Sequence, residues 1–114
     1  SENLTEFPMG ILALADSLEI LDLSNNQLTS LPNEITQFTH LKIIFASNNN
    51  FTVLPRVLSL CPLLEMISFK SNQIIEVPAE SLQLRWLILT YNNKLMRVQH
   101  LYYRWEIRIK CQTK

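Results

Sequence analysis

The sequence predicts an α/β fold: a solenoid in which a parallel sheet lines the concave side and short returns lie on the convex side. Two observations support this fold class. Large apolar residues recur at fixed offsets after Leu18, Leu41 and Leu64, so that successive copies start 23 residues apart (18 to 41, 41 to 64). Each of these three copies also has an asparagine at its turn and a proline at its end. A period of this length is typical of stacked repeats, which usually bind rather than catalyse.

Two further copies extend the repeat in both directions. A partial copy comes first, and its Leu4, Phe7 and Pro8 match Leu28, Leu31 and Pro32. A fourth copy begins at Leu84 and carries one extra residue, so that Val98 takes the position of Leu31. We therefore divide the chain into a partial repeat or N-terminal cap (1–17), four repeats (18–98), and a C-terminal capping strand and tail (99–114). The first segment is either a reduced cap or the cut edge of something longer.

Each repeat is expected to begin with a short strand, such as residues 19–23, because apolar residues alternate there with variable ones. The leucines of the strand then point into the solenoid, and the residues between them point out of the concave wall. The asparagine that follows occupies a turn. The chain has a single glycine, so asparagine is expected to supply the irregular backbone conformations of these turns.

The return half of each repeat has apolar residues three apart, as in Ile35 and Phe38 or Leu58 and Cys61. This spacing predicts a short helix or 3-10 turn that follows the proline. The third return is shorter, with six residues from Pro78 to Leu84 against nine from Pro55 to Leu64. We expect the curvature of the stack to change there.

The last part of the chain abandons the repeat. Trp105, Ile107 and Ile109 alternate with charged residues, which predicts a strand over 102–110 with one apolar and one charged face. This strand is expected to close the stack as an edge strand whose charges discourage further pairing.

The charges of the chain sum to zero but are separated along it. Residues 1–41 carry six acidic and no basic side chains, whereas residues 94–114 carry six basic and one acidic side chain. Such a field can orient a charged partner, although the alternative is that it merely keeps two exposed ends soluble. The basic residues are too few and too localised to predict nucleic-acid binding, and no apolar run is long enough to span a membrane.

The histidines and cysteines, which often carry catalysis or bind metals, do not form a recognisable site in this sequence. His40 and His100 lack metal-ligand spacing with any other ligand, so no metal, cofactor or small-molecule substrate is predicted. Cys61 is expected in the core, and Cys111 near the end of the chain as a free thiol, which suits a reducing, cytosolic compartment. We predict that the chain is not an enzyme. The competing hypothesis is a concealed thiol site with Cys111 as nucleophile and His100 as base.

The variable positions of the strands predict a binding surface. Two residues after the first leucine, all four repeats carry an apolar side chain, which would form a continuous stripe across the concave wall. Such a stripe is typical of a protein interface, unless neighbouring side chains or a further segment cover it. The predicted partner-binding residues are Ile20, Asp22, Ile43, Phe45, Met66, Lys70, Trp86, Ile88 and Tyr91.

The recurring pattern L-x-x-L-x-L-x-x-N-x-L-x-x-L-P resembles the leucine-rich repeat, in its 23-residue intracellular class. That resemblance implies a horseshoe and an asparagine side chain that bonds backbone groups of its own and neighbouring turns. The repeats of this sequence are similar both to those of small bacterial effector proteins and to repeats found beside kinase domains. The effector resemblance implies a module that binds a partner protein, such as an enzyme or signalling protein, and regulates it by covering an active site. The alternative is a detached sensor or recruitment domain of a larger signalling protein.

Overall fold

The computed structural model describes residues 3–92, 97–98 and 109–112, with side chains for 3–81 and 83–92. Its strands are β1 (Ile20–Asp22), β2 (Ile43–Phe45), β3 (Met66–Ser68), β4 (Glu76–Val77), β5 (Trp86–Thr90), β6 (Arg97–Val98) and β7 (Ile109–Gln112). Five of them form a parallel sheet in the order β1-β2-β3-β5-β7, and β4 pairs with β6 in a second, two-stranded sheet. The predicted parallel sheet of a repeat solenoid is confirmed.

The returns between the strands are 3-10 helices. They are η1 (Met9–Leu14), η2 (Asn33–Gln37), η3 (Arg56–Leu60) and η4 (Ala79–Gln83). A proline with extended backbone precedes each one, and its carbonyl accepts a hydrogen bond from the N–H three residues later, as from Ile35 to Pro32 at 3.1 Å. Because proline has no N–H to donate, it fits the start of a helix, where that group has no partner.

The core lies between the main sheet and the 3-10 helices. The strand residues that alternate with the exposed ones are buried, as are the first apolar residue after each turn and the third residue of η2 and η3. Phe51 and Phe69 pack edge to face with ring centroids 4.9 Å apart, and they join the second repeat to the third. Cys61 is buried, as predicted, and its thiol lies 3.7 Å from the carbonyl oxygen of Ile35.

The third return is shortened outside its helix. The helix η4 has five residues, like η2 and η3. Five residues, 61–65, lead from η3 to β3, but two residues, 84 and 85, lead from η4 to β5. Leu84 therefore directly follows the helix and also stands two residues before β5. The expected change in curvature stays a prediction.

The partial first repeat and the fourth copy align with the full repeats as the sequence predicts. Leu4 of the partial repeat accepts a backbone hydrogen bond from Gln27 at 2.7 Å, as Leu28 does from Asn50 at 2.9 Å one repeat later. In the fourth copy, Val98 pairs with Val77, which is the alignment that the extra residue predicts. The division of the chain into cap, repeats and tail stays a prediction.

The C-terminal strand differs in its bounds from the prediction. The described strand β7 covers Ile109–Gln112 and pairs in parallel with β5 at the edge of the main sheet. It therefore continues two residues beyond the predicted end at Lys110. Residues 102–108, which make up most of the predicted strand, lie outside the described residues.

Candidate functional site

One row of side chains crosses the face of the main sheet that is turned away from the core, here called the concave face. The register pairs Ile20 with Ile43, Ile43 with Met66, and Met66 with Trp86. Ile20 and Trp86 are 54% and 47% exposed, and Ile43 and Met66 are half-buried. These four residues, which we name the apolar row, are the predicted stripe, and no residue of the described chain covers its two ends.

A second row lies two residues further along each strand. The register aligns Asp22, Phe45, Ser68 and Ile88 and continues to Lys110 of β7. Phe45 and Ile88 are half-buried, whereas Ser68 between them is 2% exposed. Because a serine is small, larger side chains on both adjacent strands can cover it. The second row is therefore acidic at β1 and apolar in the middle, with a lysine at the register position on β7.

Hydroxyl groups hold the carboxyl ends of the first strands together. The N–H of Ser47 donates to Oγ of Ser24 at 3.2 Å, and the hydroxyls of Ser47 and Ser68 lie 3.4 Å apart. Lys70, which follows β3, is exposed beyond them. The sequence showed serines at these positions, but their mutual hydrogen bonds depend on the register between strands.

The turn after each strand adopts a left-handed backbone conformation. Asn25, Asn48, Ser71 and Tyr91 have φ values of 63°, 59°, 56° and 63°. Asparagine tolerates this region better than other side chains, whereas a bulky residue there is strained. The two asparagines also bond each other, with Nδ2 of Asn48 donating to Oδ1 of Asn25 at 2.8 Å. Tyr91 is 52% exposed beside the concave face, and strained residues of this kind are concentrated at functional sites.

A ladder of asparagines fixes the edge of the concave face. Each asparagine side chain accepts a hydrogen bond from a backbone N–H of the previous repeat. The pairs are Leu4 to Asn26 (2.8 Å), Leu28 to Asn49 (3.0 Å), Phe51 to Asn72 (3.0 Å) and Ile74 to Asn92 (2.9 Å). Asn49, Asn72 and Asn92 also donate from Nδ2 to a carbonyl of the previous repeat, at 2.9–3.0 Å. The expectation that these residues are structural is confirmed.

The nine residues predicted to bind a partner lie on or next to the concave face. Seven of them belong to strands β1, β2, β3 and β5, and Lys70 and Tyr91 follow the carboxyl ends of β3 and β5. That a partner contacts them stays a prediction. The sequence analysis overlooked a column of alternating charge immediately before the apolar row, in which all side chains are exposed: Glu19, Lys42, Glu65 and Arg85. Its signal was the charged residue that follows the first leucine of every repeat.

The described residues offer little for other chemistry. Residues 3–92 and the two short C-terminal strands hold no group of three His, Cys, Asp or Glu residues placed to bind a metal ion. Burial raises the pKa of the Cys61 thiol to about 11, so this thiol is neutral at physiological pH. His40 is exposed, whereas His100 and the side chain of Cys111, the competing thiol site, lie outside the described part of the chain. The helices described are all 3-10 segments of six residues or fewer, and none of them could cross a membrane.

Comparison with known proteins identifies relatives that share the repeat. The chain is 46% identical over 52 residues to leucine-rich repeat and IQ domain-containing protein 4 of Mus musculus, covering 46% of the chain and 9% of that protein. It is 32% identical over 96 residues to PH domain leucine-rich repeat-containing protein phosphatase 1 of Homo sapiens, covering 82% of the chain and 6% of that protein. It is 48% identical over 40 residues to a probable serine/threonine-protein kinase of Dictyostelium discoideum, covering 35% of the chain and 3% of that protein.

The chain thus spans less than a tenth of each of these three relatives. A family model described as "Leucine rich repeat" matches residues 16–74, which is just over half of the chain. The matched span contains the first two full repeats and the strand and turn of the third, with two rungs of the asparagine ladder and the register of β1, β2 and β3. The chain therefore belongs to the leucine-rich repeat family.

Proposed function

We propose that this chain is a protein-binding module that holds a partner against its concave face and thereby regulates or recruits it. Leucine-rich repeats generally mediate protein–protein interactions and are typically not enzymes. The observation that carries the proposal for this chain is the apolar row, which crosses four adjacent strands with both ends exposed. Folding alone does not require apolar side chains on a solvent-facing wall, and such patches mark interaction surfaces.

The apolar row offers enough surface for a useful contact. A tryptophan side chain can bury 150–250 Å², and about half of Trp86 is exposed. Covering about 100 Å² of it at about 25 cal/mol/Å² contributes about 2.5 kcal/mol. This value lies within the range of interface residues that dominate binding. Met66 in the row, and Phe45 and Ile88 beside it, are half-buried and add smaller areas.

Two settings for this function follow from the sequence, and the relatives favour one of them. Because the chain matches small parts of long proteins, among them a phosphatase and a kinase, we propose a recruitment or sensing role within a signalling protein. The other setting is a free-standing effector or inhibitor that covers the active site of an enzyme. The relatives above, which come from mouse, human and Dictyostelium, do not support that role. We propose a reducing, cytosolic location on the strength of the free, buried Cys61 thiol.

A comparison of three bait proteins tests the binding surface. The wild-type chain, Trp86→Ala and Leu60→Ala are immobilised and exposed to the same extract, and retained proteins are identified by mass spectrometry. Leu60 is the matched control because it is an apolar side chain, 69% exposed, on η3, away from the concave face. We expect a partner that is retained by the wild type and Leu60→Ala and lost by Trp86→Ala.

Calorimetry with that partner measures how much binding free energy each variant loses. Trp86→Ala and Phe45→Ala are expected to weaken binding by about 1–4 kcal/mol, with changes in unfolding free energy of about 0.5 kcal/mol or less for the exposed Trp86. If every captured protein binds Trp86→Ala as tightly as the wild type, the concave face is not the binding surface.

A further inference from the structure

The charges on the concave face are unevenly divided along the stack. On β1, Asp22 is exposed in the second row and Glu19, also exposed, immediately precedes the strand. Toward the other end of the sheet, Arg85 precedes β5 and is exposed. Among the described side chains, the face is therefore acidic at β1 and carries a positive charge at β5.

Summed repeat by repeat, the described side chains of the face place a net charge of −2 in the first repeat and +2 in the other three repeats together. The first repeat contributes two negative charges, from Glu19 and Asp22, and the second contributes one positive charge, from Lys42. In the third repeat Glu65 and Lys70 cancel, and the fourth contributes one positive charge. The apolar row and the pair Phe45 and Ile88 lie between the two ends.

None of these charged side chains forms a salt bridge with another described side chain. Within residues 3–92 the structure contains one salt bridge, between Arg56 and Glu80 at 3.0 Å, and it joins η3 to η4 on the opposite side of the repeats. One carboxylate oxygen of Asp22 accepts a hydrogen bond from the N–H of Ser24 at 2.9 Å, which fixes the carboxylate without cancelling its charge. The acidic end is thus available to a cation.

The separation of the two ends sets the length of a matching segment. Three strand spacings of about 4.8 Å place β1 about 14 Å from β5, which exceeds the Debye length of about 8 Å at physiological ionic strength. A partner therefore senses the two ends as separate sites. About 14 Å corresponds to about 4 residues of an extended segment at 3.3 Å per residue, or about 9 residues of an α-helix at 1.5 Å per residue.

We propose, resting on the protein-binding function above, that the concave face takes a peptide segment of another protein with apolar residues at its centre and opposite charges at its ends. Its cationic end lies over β1, against Asp22 and Glu19, and its anionic end lies over the start of β5, against Arg85. The spacing between the charged residues is about 4 positions in an extended segment and about 9 in a helical one. Complementary charges of this kind determine the orientation of the bound segment and its association rate, and the apolar contacts determine how slowly it dissociates.

Selection from a random peptide library displayed on phage tests this proposal with the intact 114-residue chain as target. Peptides that bind the wild type and fail to bind Trp86→Ala are retained. We expect these peptides to carry basic residues toward one end and acidic residues toward the other, around an apolar centre. A spin label on the basic end is expected to broaden amide signals of β1 more than those of β5.

Two charge reversals provide the matched comparison. Asp22→Lys is expected to weaken the selected peptides about tenfold or more at 0.05 M NaCl, and less at 0.5 M NaCl. Glu34→Lys makes the same change in net charge on exposed η2, away from the concave face, and is expected to change affinity less than threefold. Both variants are first checked for an unchanged thermal midpoint.

The outcomes separate the two proposals. Trp86-dependent peptides without charge polarity, or equal effects of Asp22→Lys and Glu34→Lys, would overturn the directional model and leave the binding surface intact. A library that yields no Trp86-dependent peptide would count against the binding surface itself, and against the directional model with it.

Discussion

Removing one asparagine of the ladder measures how strongly adjacent repeats depend on each other. Asn49 is 5% exposed, and its Oδ1 accepts the N–H of Leu28 at 3.0 Å. Its Nδ2 lies 3.0–3.2 Å from the carbonyl oxygens of Leu23, Ala46 and Ser47. Replacement by alanine deletes all of these contacts while leaving the backbone conformation accessible.

The expected cost follows from which backbone groups keep a partner. The three carbonyls each retain a second donor, from Asn26, Asn72 and the N–H of Asn25 respectively. The N–H of Leu28 retains none among the described hydrogen bonds. One orphaned buried donor costs about 1–3 kcal/mol, and two lost amide hydrogen bonds add about 0.5–1.5 kcal/mol each. Asn49→Ala is therefore expected to lower the unfolding free energy by about 2–6 kcal/mol.

Urea unfolding followed by far-ultraviolet circular dichroism measures this change. The control is Asn50→Ala, because Asn50 is the exposed neighbour and its described hydrogen bond is made by its backbone N–H. We expect Asn50→Ala to alter the unfolding free energy by about 0.5 kcal/mol or less. Equal unfolding free energies for Asn49→Ala and Asn50→Ala would refute the conclusion that the ladder couples the repeats.

Three further changes probe features outside the ladder. Tyr91→Asn relieves a bulky residue at φ 63°, so we expect a gain of about 1 kcal/mol in urea unfolding together with weaker partner binding; a less stable variant would contradict the assigned strain. Ser81→Ala removes a buried hydroxyl that bonds no group of the described chain, and is expected to stabilise the protein by about 1 kcal/mol, whereas a loss would show that the hydroxyl is satisfied. The Cys61 thiol, with its pKa raised from 9.0 to about 11, is expected to resist Ellman's reagent at pH 8 in the folded protein. Because the raised pKa favours the neutral form in the folded state, its contribution to stability is complete below pH 9 and is lost as pH rises through about 11; Cys61→Ala is expected to remove that decline.

Much of the fold could be predicted because the same pattern of residues occurs in several successive repeats. Equal spacing of Leu18, Leu41 and Leu64 fixes the register between strands, and the register alone aligns Ile20 with Trp86 across the sheet. The prolines likewise predict where each return begins. These features depend on the period of the sequence, which is visible without coordinates.

Other features depend on contacts between repeats, which the period does not encode. Ser68 has the same position as Asp22 and Phe45, yet it is buried because its neighbours across the strands are larger. The position of Ser81 was predictable in principle, since it stands three residues after a proline where the previous repeats have Ile35 and Leu58. Its burial in that column, without a hydrogen-bond partner among the described residues, required the packing of η3 against η4.

The left-handed turns were only partly anticipated. Asparagine at the turns suggested unusual backbone conformations, and Asn25 and Asn48 confirm this expectation. Ser71 and Tyr91 adopt the same conformation although neither residue favours it. At Ser71 a contact with the next repeat accompanies that conformation, because its N–H donates to the carbonyl of Thr90 at 3.0 Å, as that of Asn48 does to Lys70.

The asparagine ladder also determines how the molecule should respond to mechanical force. Each rung ties one repeat to the next and to no other, so tension applied to the chain ends loads the outermost rung first. The stack is then expected to peel from an end in discrete jumps rather than rupture at once. A 23-residue repeat releases about 80 Å of extended chain, which makes the rungs countable in an optical trap.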